Sequence, residues 1–190
     1  PLHKATNCWE NHYFEAVSRQ NTDQMAKIII GVMGPGTCTE ETRNLAYALG
    51  EAIASEGWVT LSGGRNTGVM QAVSRGARQA GGLTLGILPT EDRSQMNEYV
   101  DIPIVSGMGS ARNNINVLTP DVVVACGLGA GTVSEIALAM KADKPVILLS
   151  VEKEAYRFFQ KIDTRDVLMR ADKVEEVISL IQRRLNLKKN

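Results

Sequence analysis

The chain has 190 residues, 44% of them hydrophobic and 22% charged, which is typical of one compact domain with a buried core. Its 21 lysine and arginine residues balance 21 aspartate and glutamate residues, which excludes the broad positive field of a sequence-independent nucleic-acid binder. No apolar run approaches the roughly 20 residues that span a bilayer, and three cysteines without a C-x-x-C pair favour a reducing cytoplasm, with no metal site and no membrane partner.

Strands and helices alternate in the first half of the chain. Residues 27–33 (KIIIGVM) are an unbroken apolar run, typical of a buried parallel strand, that ends in a glycine loop at 34–36. Thr37 and Glu40 have the spacing of a capping box, which predicts a helix that stops at Gly57. A second strand over 58–61 leads through the glycine loop 62–68 into a helix that ends at 81–82. A third strand is predicted over 83–88, and the polar loop 89–98 is long enough to act as a flap.

The alternation continues in the second half. Residues 100–105 predict a short strand, which Pro103 places at an edge because proline lacks an amide donor. The SGMG loop at 106–109 leads into the first turn of a helix that ends before Pro120. Residues 121–126 (DVVVAC) are the clearest central strand, and the loop 127–132 (GLGAGT) and a helix follow. A strand over 145–150, a helix over 152–161 and an amphipathic helix over 174–185 complete the pattern.

This order of elements predicts an α/β fold: a Rossmann-like single domain whose mostly parallel sheet has helices on both faces. We assign residues 27–190 to that domain. Residues 1–26 are a polar N-terminal segment, too polar for a secretory signal, for which an extra helix is one interpretation. Ligands of such folds bind at the carboxyl ends of the strands near the switch in strand order, where four glycine-containing loops are expected to converge.

The glycine loops favour an anion-binding site. All 17 glycines lie between Gly31 and Gly131, and every basic residue of this stretch is an arginine, whose fork matches phosphate or carboxylate. Three of the loops lead into helix N-termini, which hold phosphate through unpaired amides without any cationic side chain. A single such loop is equally well explained as a tight turn of a parallel sheet, but three together favour a phosphate site.

Several familiar site types are excluded. The 34–36 loop lacks the third glycine of the dinucleotide fingerprint, and no Lys-Ser/Thr pair follows Gly68 or Gly131 as a P-loop requires. Both histidines, His3 and His12, lie in the N-terminal segment, which excludes an ordinary Ser-His-Asp triad in the central region.

Individual side chains leave alternatives open. Glu135, one turn into its helix, could be an acid, a base, an anchor for a hydroxyl or a partner of the helix dipole. Arg65 could bind an anion or be solvated, and Arg112 could bind an anion or pair with Glu135. Thr132 is a cap or a ligand contact, and Cys126 is expected to be a packed core thiol without chemistry.

From about residue 27 to 161 the chain resembles the molybdenum cofactor carrier proteins, around the motifs GVMGPG, SGGRNTGVM, VDIPIVSGMGSARNNIN and GAGTVSEIALAMK. The resemblance implies a Rossmann-like subunit that assembles into a homodimer or homotetramer. It also implies binding of the molybdenum cofactor, a pterin dithiolene with a terminal phosphate, for storage or transfer without turnover. Enzymes that make the cofactor or use molybdenum are the implied protein partners.

The chain is also similar to the cytokinin-activating phosphoribohydrolases, once misnamed lysine decarboxylases, which release a free base and ribose 5-phosphate from nucleoside monophosphates. Their P-G-G-x-G-T-x-x-E motif falls on residues 127–135, with Gly127 and Leu128 in place of the proline and the first of the two glycines. Their catalytic arginine corresponds to Arg112, which Asn113 follows instead of lysine, and in their G-G-G-x-x-G-L-M motif Arg65 replaces the third glycine. This alternative makes Arg112 and Glu135 catalytic, whereas a carrier needs no catalytic residue.

The loops and the resemblance together define a predicted cofactor-binding set. It comprises Gly34, Pro35, Gly36, Thr37, Ser62, Gly63, Gly64, Arg65, Asn66, Gly68, Ser110, Arg112, Asn113, Gly127, Leu128, Gly129, Ala130, Gly131, Thr132 and Glu135. No metal ligand is predicted.

Overall fold

A computed structural model of the chain describes residues 26–187, in which the apolar runs at 29–33 and 122–126 become buried strands. The elements in chain order are β1 (Ile29–Met33), α1 (Glu40–Ser55), β2 (Val59–Ser62), α2 (Gly68–Gln79), β3 (Thr84–Leu88), β4 (Ile102–Val105), a 3-10 turn (Gly109–Arg112), α3 (Asn113–Leu118), β5 (Val122–Cys126), α4 (Ala130–Lys141), β6 (Val146–Leu149), α5 (Lys153–Ile162), β7 (Leu168–Ala171) and α6 (Val174–Leu187).

The strands form one parallel sheet in the order β4-β3-β2-β1-β5-β6-β7. The order reverses between β1 and β5, which pair with Ile30 opposite Val122. Because all strands point the same way, every strand-to-helix loop emerges at one edge of the sheet, and the loops after β1 and β5 flank the switch point. The predicted α/β, Rossmann-like fold is confirmed.

Helices cover both faces of the sheet. On one face α1, α2 and α6 pack on β1, β5 and β6 around fully buried side chains such as Leu49, Val73 and Ile181. On the other face α4 and α5 contribute Ile136 and Phe159 to a second core. Apolar burial on both faces is the main stabilising term of such a layered fold.

Three sequence predictions need correction. Strand β7 was not predicted at all, although it extends the sheet beyond β6. The N-cap of α1 is Thr39, whose hydroxyl accepts from the amide of Thr42 at 3.2 Å, so the proposed capping box of Thr37 and Glu40 is wrong. The predicted helix before Pro120 is a 3-10 turn followed by the short α3.

Three further features concern the N-terminal segment, membrane-spanning helices and metal ligands. The expected extra helix in residues 1–26 lies outside the described residues, apart from Ala26. Within residues 26–187 no helix combines the length and the apolar character needed to cross a membrane. The same residues contain no cluster of three or more His, Cys, Asp or Glu side chains suited to a metal ion.

Candidate functional site

A cleft of about 380 Å³ opens at the carboxyl edge of the sheet, at the switch point between β1 and β5. Its volume lies in the range of roughly 300–1,000 Å³ that small-molecule sites occupy. All four predicted glycine-containing loops contribute to its wall. The lining residues are Val32, Met33, Gly34, Pro35, Gly36, Gly63, Arg65, Met70, Pro89, Gly109, Ser110, Arg112, Asn113, Gly129, Ala130, Gly131, Thr132 and Glu135.

The helix N-termini at this edge differ in whether they are already satisfied. Helix α1 is capped by the Thr39 side chain and carries two glutamates in its first turn. Helix α2 has neither a side-chain cap nor an acidic residue in its first turn, but the amide of Val69 donates to the carbonyl oxygen of Pro35, in the loop after β1, at 3.2 Å. Helix α4 has Gly129 at its N-cap, no side-chain cap and no acidic residue in its first turn. Because its first residues line the cleft, α4 presents uncapped amides and an uncompensated positive dipole end to it.

Thr132 lies in the first turn of α4 and is one of the residues that line the cleft. The residue is 2% exposed, and its hydroxyl oxygen has no hydrogen-bond partner among the described residues. It is not the N-cap, since Gly129 holds that position. A buried hydroxyl normally finds a partner, so Thr132 is a polar residue of the cleft wall with hydrogen-bonding capacity to spare.

Arg65 enters the cleft from the turn after β2. Gly64 has φ +69°, and a Cβ built there would lie 2.9 Å from the Cα of Gly86, so only glycine fits this turn. Arg65 is half-buried, and its Nε atom is fully buried without a hydrogen-bond partner. Arg65 therefore brings an unsatisfied cationic donor to the wall of the cleft.

Arg112 is buried and already engaged by the backbone. Its Nη1 atom donates to the carbonyl oxygen of Gly63 at 2.6 Å and also to that of Ile87. A Cβ on Gly63 would lie 2.7 Å from the same Nη1 atom, so the glycine makes room for the guanidinium. Burial lowers the pKa of Arg112 from its ordinary value, and Arg65 lowers it further while Glu135 opposes both. Arg112 thus ties the ends of β2 and β3 together at the cleft floor.

Glu135 is held by an asparagine and not by Arg112. Its Oε1 atom accepts from Nδ2 of Asn116 at 2.8 Å, and the ion pairs of the described residues do not include Glu135 with Arg112. Burial raises the pKa of Glu135, while the Asn116 hydrogen bond and the charge of Arg112 partly offset that rise. A buried carboxyl with a raised pKa can hold a proton or accept a hydrogen bond from a hydroxyl in the cleft.

Some of the predicted site residues line the cleft and others do not. Thirteen of them line the wall, spread over the loops after β1, β2 and β5 and the 3-10 turn. Seven do not: Thr37, Ser62, Gly64, Asn66, Gly68, Gly127 and Leu128. Ser62 instead supports the turn, because its hydroxyl accepts from the amide of Gly64 at 3.1 Å. Cys126 is fully buried with its pKa raised to about 12 by burial and by nearby Cys38, as expected of a core thiol.

Sequence reasoning missed Asn97 and Asn116, which are both fully buried. Asn116 follows Arg112 by four residues, so a helix reading would have placed both on one face. Asn97 lies in the 89–98 loop and carries no such signal. That loop is not a free flap: Arg65 and Met96 form an antiparallel bridge, and of this loop only Pro89 lines the cleft.

Comparison with known proteins gives a family match and close structural neighbours. A model of the SLOG cluster4 family matches residues 27–178. The molybdenum cofactor binding protein from Rippkaea orientalis is 51% identical, with a TM-score of 0.81 over 83% of this chain and 97% of that chain. The molybdenum cofactor carrier protein from Chlamydomonas reinhardtii is 46% identical, with a TM-score of 0.80 over 84% of this chain and 99% of that one. The resemblance that the motifs predicted is confirmed.

The second resemblance also has a counterpart. A protein from Mycobacterium tuberculosis named cytokinin riboside 5'-monophosphate phosphoribohydrolase is 31% identical over 117 residues. The match spans 57% of this chain and 63% of that protein, so it is the more partial of the two relationships.

Proposed function

The chain belongs to the SLOG cluster4 family, and from that premise we propose that it is a carrier that binds the molybdenum cofactor in the cleft between β1 and β5 without turning it over. The neighbours from R. orientalis and C. reinhardtii support this ligand, because they are 51% and 46% identical over nearly their whole lengths. The ligand is here a cargo, held by non-covalent contacts alone.

One observation carries the proposal: residues of the cleft wall carry hydrogen-bonding groups that have no partner among the described residues. The Thr132 hydroxyl and the Arg65 Nε atom have no partner, and the first amides of α4 have no cap. Each of these groups is a hydrogen-bond donor, so they match an anion and not a cation. A terminal phosphate at the α4 N-terminus would satisfy the amides and the hydroxyl together.

The rest of the cleft suits a flat ring. Met33, Pro35, Met70 and Pro89 give the wall an apolar part opposite the polar loops. The pterin would lie over these side chains, and Arg65 and Ser110 would approach its polar edges. Residues behind the wall, such as Ser62 and Gly64, would support the site without touching the cargo.

The hydrogen bonds of Arg112 and Glu135 support the expectation that the cargo is not turned over. The Nη1 atom of Arg112 donates to two carbonyl oxygens, and the Oε1 atom of Glu135 accepts from Asn116. Both groups therefore serve to fix the cleft floor. We further propose that the bound cofactor decays more slowly than the free one, because the cleft limits access of water and oxygen to the dithiolene. Equal decay rates with and without protein would contradict protection while leaving binding intact.

The direct test is retention of the cofactor. Purified protein is incubated with excess molybdenum cofactor and desalted, and retained pterin is measured by fluorescence after oxidation, alongside molybdenum by mass spectrometry. We expect near-stoichiometric pterin and molybdenum. Pterin without molybdenum would identify the metal-free form as the cargo, and retention of neither would refute the carrier function.

A second function, hydrolysis of nucleoside monophosphates, is favoured by one observation: the buried Glu135, whose pKa is raised, faces the cleft near Arg112. The M. tuberculosis relative supports it at 31% identity. Glu135 would hold the ribose hydroxyls and stabilise the positive charge that develops on the sugar. Adenine released from AMP by the wild type and not by Glu135→Gln would establish this activity in place of the carrier function.

Replacement of the cationic donor gives the sharpest binding prediction. Arg65→Ala should weaken cofactor binding by about 1–3 kcal/mol, because a charge-assisted hydrogen bond is lost. Equilibrium titration followed by pterin fluorescence measures the effect. Arg43→Ala is the matched control, since Arg43 is an exposed arginine on α1 away from the cleft. Equal affinities of Arg65→Ala and Arg43→Ala would remove Arg65 from the site.

The proposal also covers the surroundings of the protein. We place it in the cytoplasm as a homodimer or homotetramer that receives its cargo from cofactor-synthesis enzymes or delivers it to molybdenum enzymes. The zero net charge supports the expectation that nucleic acid is not a partner.

A further inference from the structure

Residues 95–97 of the loop between β3 and β4 are hydrogen-bonded to residues 64–66 of the turn that carries Arg65, and we call these contacts the clasp. The amide of Asn66 donates to the carbonyl oxygen of Gln95 at 2.9 Å, and the amide of Asn97 donates to that of Gly64 at 3.0 Å. Between these two bonds Arg65 and Met96 form the antiparallel bridge. The Arg65 turn is therefore flanked by a second backbone segment along its length.

Asn97 provides the side-chain part of this clasp. It is 0% exposed, and its Nδ2 atom donates to the carbonyl oxygens of Gly64 at 3.0 Å and Arg65 at 3.3 Å. Its Oδ1 atom accepts from the amide of Tyr99 at 3.1 Å, which closes a local turn. All polar atoms of this buried amide are thus used, and two of its bonds end on the peptide groups on either side of the Arg65 Cα.

The clasp matters because the turn it fixes begins at a glycine, which is free to adopt other backbone conformations. Gly64 has φ +69° and packs against Gly86, so the chain enters Arg65 in a conformation that the local sequence alone does not impose. With its carbonyl oxygens held, Arg65 keeps its Nε atom buried at the cleft wall without a partner of its own. Loss of the two Nδ2 bonds would free the Arg65 carbonyl oxygen and leave the Gly64 oxygen to the Asn97 amide alone, so that the guanidinium could move into solvent.

Resting on the proposed function, we propose that Asn97 is a positioning residue for ligand binding: it acts through Arg65 by fixing the carbonyl oxygens of Gly64 and Arg65, so that the guanidinium is preorganised for the anionic cargo. Asn97 lies behind the wall and does not line the cleft. A preorganised donor loses less conformational entropy when the ligand arrives, so the clasp contributes affinity without a contact.

The first experiment is a double-mutant cycle on cofactor affinity. Asn97→Ser removes both Nδ2 bonds, while the serine hydroxyl can still accept in the local turn. We expect Asn97→Ser to weaken binding about three- to tenfold when Arg65 is present and less than about twofold when Arg65 is already alanine. A general structural defect would instead give the same loss in both backgrounds and would overturn the proposal. Asn186→Ser, an exposed asparagine on α6, is the matched control.

The second experiment needs no ligand. In protein labelled with ¹⁵N the solvent exchange of the Arg65 Nε proton is followed by NMR, with its signal assigned by its loss in Arg65→Lys. We expect slow exchange in the wild type and fast exchange in Asn97→Ser, while the Arg112 Nε proton serves as an internal reference. Equal exchange at Arg65 in both proteins would overturn the proposal.

The two experiments separate the two proposals. If the wild type retains no cofactor, the carrier function fails, and the exchange of the Arg65 proton alone decides whether Asn97 holds the guanidinium. If Asn97→Ser does not fold, Asn97→Thr takes its place, because threonine also lacks the Nδ2 donor and its hydroxyl can still accept in the turn. Slow Arg65 exchange in a folded Asn97→Thr would likewise overturn the positioning role.

Discussion

Polar atoms without partners are costly in a protein interior, and in the described part of this chain three of them belong to residues of the cleft or its support: Arg65 Nε, Thr132 Oγ1 and Asn116 Oδ1. Leaving a buried donor or acceptor unsatisfied costs roughly 1–3 kcal/mol. At Arg65 and Thr132, which line the cleft, the free protein therefore gives up stability at groups that the proposed ligand would satisfy. This trade-off predicts that replacing such a group raises the stability of the free protein and lowers its affinity for the ligand.

Thr132→Val tests this trade on one hydroxyl. Valine has the shape of threonine, so the change should raise the free energy of unfolding of the free protein by about 1 kcal/mol by removing an unsatisfied group. It should also weaken cofactor binding by about 0.5–1.5 kcal/mol, because the ligand loses a hydrogen bond. Thermal unfolding and equilibrium titration measure the two effects. Thr132→Ser keeps the hydroxyl and should retain affinity; a valine variant that binds as tightly as the wild type would exclude Thr132 as a contact.

Glu135→Gln tests the buried carboxyl through pH. Burial raises the pKa of Glu135 above its ordinary value, so the folded protein holds this proton more tightly than the unfolded chain. The stability that this proton contributes is full below the ordinary pKa and is lost as pH rises through the raised value. The melting temperature of Glu135→Gln minus that of the wild type should therefore increase as the pH rises above about 4, the ordinary pKa of glutamate. A difference that stays constant or falls as the pH rises would show that the carboxyl ionises as readily in the fold as outside it.

At the scale of elements, the sequence predicted six of the seven strands because each begins or runs through an apolar stretch. Strand β7 was not predicted because its four residues, LMRA, include Arg170; it pairs with β6 alone, at the edge of the sheet. An edge strand can contain both apolar and charged residues, so its sequence does not show the hydrophobic pattern that predicts a strand. The α1 cap was misplaced by two residues because Thr37 and Thr39 are chemically equivalent candidates, and only the backbone geometry decides between them.

The open N-terminus of α4 provides a prediction about a whole helix. Ala130→Asp places a carboxylate in its first turn, where Ala130 is exposed. The new charge should stabilise the free protein by about 0.3–1 kcal/mol through the helix dipole. It should also repel and displace an anionic ligand, so cofactor retention should be lost. Ala130→Asn, of the same size without the charge, is the control and should retain the cofactor. Retention by both variants would locate the anion away from α4.

At the scale of the molecule, the position of the site was predictable and its support was not. The switch point followed from the order of strands and helices, and the glycine loops of 34–36 and 127–132 do meet there. Asn97 reaches Gly64 across 33 residues of chain, and that pairing depends on the register of β3 and β4 against β2. The register of these strands is set by packing over the whole sheet, so no local sequence pattern predicts it.

The outer strand β4 bears on how copies of the chain assemble. Strand β4 is the outer strand of the sheet and has no pairing partner on its outer side within residues 26–187. Ile102, Ile104 and Val105 are 44%, 40% and 40% exposed, and nearby Met108 is 47% exposed. An apolar outer strand left in water invites uncontrolled pairing, whereas a second copy of the chain would cover it. This supports the proposed homo-oligomer, with β4 in the interface.

Ile104→Lys therefore should shift the protein to a lower mass, because a buried lysine in the interface is desolvated without a partner. Light scattering coupled to size-exclusion chromatography measures the mass, and circular dichroism checks that the fold is retained. Ile104→Val keeps the apolar surface and should keep the mass of the wild type. An Ile104→Lys protein of unchanged mass would place any interface elsewhere. Because Met108 and the 3-10 turn lead directly from β4 to Arg112, loss of the oligomer should also weaken cofactor retention, so mass and retention should fall together.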